Sequence, residues 1–205
     1  MYLLAFVGAC VLVAMAPGVS TAIIMRQTLR AGRGSGLAAT LGNETGILLW
    51  GLAAAFGLSA LVVASQLAYD VMRVTGAAVL VVMGAQALWQ ARKPAPLTAP
   101  EGEAVTSHRG AYLAGLGTCL ANPKAAVFAM SFLPQFVPAG QDVPLTLATL
   151  AVVWTLVDIA WYVLLIWAVN LAKQWLGRPA VKRRLEQISG LVLIGLGVRM
   201  AVEAR

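Results

Sequence analysis

An all-α polytopic membrane protein is the predicted fold class, with six transmembrane helices forming two inverted three-helix repeats and the first helix of each repeat broken at a proline. Three observations predict it. Hydrophobic residues make up 60% of the chain and charged residues only 11%, with a mean hydropathy of +0.82, whereas a soluble domain carries roughly 25% charge. Six apolar stretches come close to the roughly 20 residues that a spanning helix needs, at about 3–25, 38–64, 67–91, 110–137, 144–171 and 187–203. The first and fourth are interrupted by Pro17 and Pro123, which stand 106 residues apart.

The first stretch has a signal-peptide alternative, because Ala14-Met15-Ala16 resembles a small-residue cleavage site. Against it, no Lys or Arg precedes the stretch, the apolar run continues through Ile24, and Pro17 follows the would-be cut. The second stretch carries Gly42-Asn-Glu-Thr-Gly46, with glycines four apart as in closely packed membrane helices. The third carries Thr75-Gly76 and Gly84 and ends at Arg92-Lys93. Residues 94–109 are rich in Pro and polar residues without an apolar period, which predicts a flexible cytoplasmic linker. His108, the one histidine, reads there as a solvated loop residue. The fourth stretch holds Asn122-Pro-Lys124, the fifth Asp158 within Trp154-Thr-Leu-Val-Asp-Ile-Ala-Trp161, and the sixth Ser189-Gly190 and Gly197. The tryptophans read as interfacial or packing residues. The expected division is thus 1–93 for the first repeat, 94–109 for the linker and 110–205 for the second repeat.

Net charge is +7, yet its placement argues against nucleic acid as a partner. Arg26, Arg30 and Arg33 follow the first span, Arg92, Lys93 and Arg109 flank the third connection, and Lys173, Arg178, Lys182, Arg183 and Arg184 fill the fifth. The second and fourth connections, around 65–70 and 138–143, have neither Lys nor Arg. The positive-inside rule then makes the odd connections cytoplasmic and leaves both termini outside, with attraction to anionic membrane lipid as a by-product.

Three spans per half force the second half to enter the membrane from the opposite side. Thr75-Gly76 matches Ser189-Gly190 at an offset of 114, while Gly84 and Ala91-Arg92 match Gly197 and Ala204-Arg205 at 113. Paired interruptions in corresponding helices are the best sequence pointer to a transporter site. Each proline removes a backbone donor and displaces the carbonyl four residues earlier, which lipid cannot satisfy. The restarting helix presents free N–H groups suited to a carboxylate. Pro17, Gly18, Asn122, Pro123 and Lys124 are therefore the expected substrate-binding residues.

Lys124 adds a charge that costs about 2.5–3.5 kcal/mol in mid-membrane. It either snorkels to the outer interface or faces a cavity, where an acid within about 4 Å would offset the cost by about 4 kcal/mol at an effective dielectric near 20. Glu44 and Asp158 are the acids within the spans. Either can carry a proton or pair with an amine or with Lys124, and both are proton-coupling candidates; Glu44 alternatively lies on a polar seam near the cytoplasmic mouth.

With those residues in hand, the chain resembles the LysE/RhtB family of bacterial amino-acid exporters. The resemblance rests on Pro17-Gly18, the Arg30-Ala-Gly-Arg-Gly-Ser-Gly-Leu37 turn, Asn122-Pro-Lys124 with Phe128, Leu133-Pro-Gln-Phe136, and Gly195-Leu-Gly-Val-Arg199. Two departures stand out: Val19 takes the place of the second proline of the family's usual Pro-Gly-Pro, and Glu44 lies in a stretch often uncharged in relatives. The resemblance implies export of amino acids or related small metabolites by proton antiport across the bacterial inner membrane, with no cofactor and with a homo-oligomer compatible.

Other classes find less support. No nucleotide-binding motif is present, no His-Glu-x-x-His or Gly-x-Ser-x-Gly, and no histidine within a span, which argues against an ATP-driven pump or an enzyme. Cys10 and Cys119 lie in apolar runs without metal-ligand spacing and read as packing residues. A channel would share polar helix breaks but would conduct without proton coupling.

Overall fold

The structure, a computed structural model, describes residues 2–15, 18–64, 66–92, 107–138, 140–168 and 178–202. Every regular element among them is helical. The first predicted span divides into α1 (Tyr2–Met15) and α2 (Val19–Ala31), inclined at 59°. Then come α3 (Arg33–Ala64) and α4 (Gln66–Gln90). The fourth predicted span divides into α5 (His108–Leu120) and α6 (Pro123–Val127), which continues through a π turn (Phe128–Phe132) and a 3-10 turn (Leu133–Phe136); the two halves meet at 57°. Finally α7 spans Val143–Trp167 and α8 spans Pro179–Val202.

Among the described residues α7 alone is long and apolar enough to cross a membrane, and each bent pair is so when taken together. Helices α3 and α8 start before the apolar stretches that announce them, because backbone hydrogen bonding does not stop where side chains turn polar. Pro17 and residues 93–106, most of the predicted linker, lie outside the described residues. His108 is not a loop residue. The Ser107 hydroxyl accepts from the Gly110 N–H at 3.0 Å and caps α5, so His108 begins that helix, exposed and beside Gly34. Between α2 and α3 the chain turns at Gly32, whose φ of 86° disfavours any side chain.

Small residues set the packing. Any Cβ on Gly42 would collide with the Tyr112 carbonyl, one on Gly115 with the Ala39 carbonyl, and one on Gly46 with Cys119, so α3 and α5 are in backbone contact. The Tyr112 hydroxyl adds a bond to Thr45 Oγ1 at 3.0 Å. Gly51 meets the Ala151 methyl in the same way, joining α3 to α7. A second pair stands at α4 and α8. A Cβ on Gly84 would lie 2.6 Å from the Gly190 carbonyl oxygen, and one on Gly197 2.7 Å from that of Ala77. The main apolar core lies where α1, α3, α6 and α7 converge, with Phe6, Phe128, Phe132, Phe136 and Trp154 forming a ladder of rings 4.4–6.4 Å apart between centroids. Rings at that spacing attract beyond simple area burial. On another face of the protein the Arg33 guanidinium lies 4.8 Å from the centre of the Trp167 ring, tying the start of α3 to the end of α7.

Candidate functional site

Each broken span leaves one carbonyl without its helical donor. For a proline at position 17 that carbonyl belongs to Val13, and for one at 123 to Cys119, four residues back in both cases. Both find donors from outside their own helix. The Lys124 ammonium donates to the Val13 oxygen at 3.0 Å, and the Trp50 indole N–H points to the Cys119 oxygen at 3.4 Å, where the Asn122 N–H also donates at 3.0 Å. An orphaned carbonyl in an apolar setting costs about 1–3 kcal/mol. These contacts remove that cost, and they place the half-buried ammonium of Lys124, the one lysine of the fourth span, against the break in the first.

The restarts after the two breaks differ. Asn122 caps α6, its Oδ1 accepting the Lys124 N–H at 3.0 Å, while its amide donates toward Ser20 Oγ at 3.4 Å. Gly18 precedes α2 in extended backbone and has no side chain with which to cap it. The first turn of α2 therefore keeps N–H groups for another partner, whereas α6 has given one to Asn122. Charge attraction to a ligand is expected at the first break.

Around this junction lies a cavity of about 310 Å³, at the small end of the roughly 300–1,000 Å³ usual for ligand pockets. Its polar wall is made by Gly18, Ser20 and Thr21 of the first break, Asn122 and Lys124 of the second, Asn43 of α3 and Asp158 of α7. Val13, Ile47, Met83 and Phe128 supply apolar wall. On α7, Trp154, Asp158 and Tyr162 recur every four residues and so share one stripe. The Trp154 indole lies one turn from Asp158, and Tyr162 is hydrogen-bonded to Thr21 of α2. Below the cavity a column of buried polar residues, Thr40, Thr28, Ser35 and Gln27, runs toward the turn between α2 and α3, with Ser35 donating to Gln27 at 3.2 Å.

Of the residues singled out in the sequence, Gly18, Asn122, Pro123, Lys124 and Asp158 line this one cavity. Pro17 lies outside the described residues. Glu44 does not line it. It is 2% exposed and accepts a 2.9 Å bond from the Asn43 amide, and it is Asn43 that reaches the cavity. Lys124 makes no ion pair with either acid. A carbonyl is its partner instead, since the broken first span offers an acceptor at shorter reach than the carboxylates.

Asn43, Ser20, Tyr162, Trp154 and Trp50 were not among the sequence candidates. The four-residue spacing of Trp154, Asp158 and Tyr162 was a readable signal for two of them; Trp50 had none, because its role depends on which carbonyl a proline 73 residues later sets free. Among the described residues no group of three or more His, Cys, Asp or Glu side chains is placed to hold a metal ion. Chemically, a cavity lined by one ammonium, from α6, and one carboxylate, from α7, can hold a small molecule bearing both charges.

Comparison with known proteins bears on what that molecule is. Residues 11–204 match the family model described as LysE type translocator. An uncharacterised membrane protein of Vibrio cholerae is 31% identical over 206 residues, covering 97% of this chain and 95% of its own. Another, from Bacillus subtilis, is 26% identical over 204 residues, 96% of this chain and 97% of its own. The threonine efflux protein of Escherichia coli K12 is 26% identical over 193 residues, covering 92% and 91%. No solved structure matches the chain.

Proposed function

The chain belongs to the LysE type translocator family, and from that premise we propose that this multi-pass membrane protein exports a small amino acid from the cytoplasm by proton antiport. The observation that carries the reading is one cavity lined by residues of both helix breaks and by Lys124 and Asp158. The substrate carboxylate is held by Lys124 and the uncapped first turn of α2, and the substrate amine by Asp158. Lys124 has three donors and uses one on Val13, so it can take a carboxylate without letting go of the first span. One charged wall on each side selects a zwitterion, and the apolar wall leaves room for a short side chain.

Inverted three-helix repeats are part of this proposal. Gly84 packs on Gly190, while Gly197 packs on Ala77. At the offset of 113, Ala77 corresponds to Gly190 and Gly84 to Gly197, one residue from the Gly76 match, so residue and partner exchange roles between the halves, as contacts across a two-fold axis do. The resemblance to a threonine efflux protein supports export of an amino acid.

Proteoliposomes loaded with a panel of labelled amino acids test the function directly. Efflux of one or a few neutral amino acids, accelerated by a proton gradient directed inward, is the expected result. Efflux of none, or leakage of unrelated solutes at the same rate, would overturn it in favour of a channel.

A further inference from the structure

Two buried acids, Glu44 of α3 and Asp158 of α7, stand at corresponding levels of the α3–α7 contact. Gly51 meets Ala151, while Asn43 and Ile47 share the cavity wall with Trp154 and Asp158, so the two helices run antiparallel. Seven residues from that contact, back along α3 and forward along α7, stand Glu44 and Asp158. Seven residues are nearly two turns, about 10 Å, and return each helix to the same face. Each acid lies within electrostatic reach of the other.

Four oxygens at this level lack a partner: Asn43 Oδ1, Glu44 Oε2, Thr155 Oγ1 and Asp158 Oδ1. All four residues are at least nine-tenths buried, and Asn43 is only 1% exposed. Five other helical threonines do find a backbone partner. Thr28, Thr40, Thr45, Thr75 and Thr149 all donate to the carbonyl four residues earlier, at 2.8–3.0 Å. Buried oxygens without donors are seldom left so in a native protein. Asn43 Oδ1, Glu44 Oε2 and Asp158 Oδ1 can only accept as they stand, whereas Thr155 and the buried Trp154 indole, also without a partner, each bring a proton of their own. The titratable groups around the pair are Lys124 from α6, Cys10 from α1, Cys119 from α5 and Tyr162 on α7 itself, while α2 contributes the Thr21 hydroxyl that engages Tyr162. Only Lys124 is a cation. One ammonium against two carboxylates leaves a single negative charge in a setting that tolerates none cheaply.

We infer that Glu44 and Asp158 form one proton-binding site, holding a single shared proton as an O–H···O bond between α3 and α7 while the cavity is empty of substrate. The inference rests on the exporter reading and supplies its coupling step. A proton on either carboxyl gives the other a donor once the two side chains meet between α3 and α7. When the substrate amine arrives at Asp158, the proton leaves the pair for the cytoplasm through the buried polar column, and Glu44 keeps its bond from Asn43. Release of the substrate outside lets one proton return. One proton moves inward for each substrate moved outward.

Infrared difference spectra of the purified protein, taken across a pH titration without substrate, read the site independently of transport. The wild type shows one protonated-carboxyl C=O band in the neutral range. Glu44→Gln and Asp158→Asn each shift or remove it, the double variant lacks it, and Glu44→Asp, which keeps the acid on a shorter stem, moves it without loss. A band unmoved by one of the two single substitutions places the proton on the other acid alone and overturns the shared site. In proteoliposomes, either single substitution abolishes gradient-driven efflux, and the double variant is no worse than the singles, since groups acting as one site are non-additive. Gradient-driven efflux that survives in one single variant, or that follows sodium instead of protons, overturns the inference. Absence of all efflux from the wild type beside a normal carboxyl band would sink the exporter reading and leave the proton site standing.

Discussion

Lys124 works against its surroundings. Its charge costs about 2.5–3.5 kcal/mol in mid-membrane, and its side chain donates to a neutral carbonyl, that of Val13. A hydrogen bond from a charged donor contributes about 1.5–3 kcal/mol, so the two effects nearly cancel. Lys124→Met therefore removes a burden and a bond together but leaves the Val13 carbonyl without that donor, so stability in detergent should fall by about 1–3 kcal/mol, short of unfolding. Transport should not survive as well. Losing a charged contact to the substrate carboxylate weakens apparent affinity about ten- to hundredfold, at 1.4 kcal/mol per factor of ten. Measured efflux in the variant equal to wild type would make the lysine a strut for the first span and nothing more. Asn122, Lys124 and Asp158 were legible in the sequence because each is expensive in an apolar run. Asn43 was not, since an amide one residue from an acid is unremarkable until the fold shows what it faces, and Tyr162 was signalled only by its four-residue spacing from Asp158.

At the scale of the element, breaks and glycines were readable and partner choice was not. The chain announces where α1 and α5 must end, because no helix keeps its ladder through a proline without exposing a carbonyl. It does not announce that Trp50 would cover the Cys119 carbonyl or that Asn122 would cap α6 and leave α2 uncapped. Pro123→Ala restores the N–H that Cys119 lacks and should straighten the fourth span. Efflux then falls while membrane insertion is kept, and undiminished efflux would show that the break is a packing kink. The glycines separate more sharply. Gly84→Leu forces a side chain into the Gly190 backbone and should destabilise the α4–α8 pair by at least the 1–3 kcal/mol typical of overpacking. Gly57, with open space where a Cβ would go, is the control. Gly57→Leu should be neutral or gain up to about 1 kcal/mol from helix propensity. Equal losses of thermal stability in the two variants would mean that the close approach of α4 and α8 has no energetic weight.

The whole molecule poses the question of which way it faces. Gly42 lies against Tyr112 and Leu116, and Gly46 against Cys119, so α3 and α5 advance in the same direction; Gly84 against Gly190 and Ala77 against Gly197 make α4 and α8 opposed. Six alternating crossings require those relations, because the second and fourth spans then run the same way and the third and sixth run oppositely. The relations are unchanged if the protein is turned over. Only the charges distinguish the two orientations, and they do so through the turn at Arg26, Arg30 and Arg33 and the fifth connection with Arg178, Lys182, Arg183 and Arg184, against none around 138–143. Cys10 and Cys119 are buried, which keeps native labelling low. With single cysteines placed at Gln141 and Glu101, an impermeant thiol reagent applied to intact cells should label position 141 at once and position 101 only after permeabilisation. That outcome puts the polar column below the cavity on the cytoplasmic side, where an exporter must load its substrate and where the Glu44–Asp158 pair must discharge its proton. Labelling in the reverse order would make the same column an outer entrance, and the molecule would have to be read as an importer.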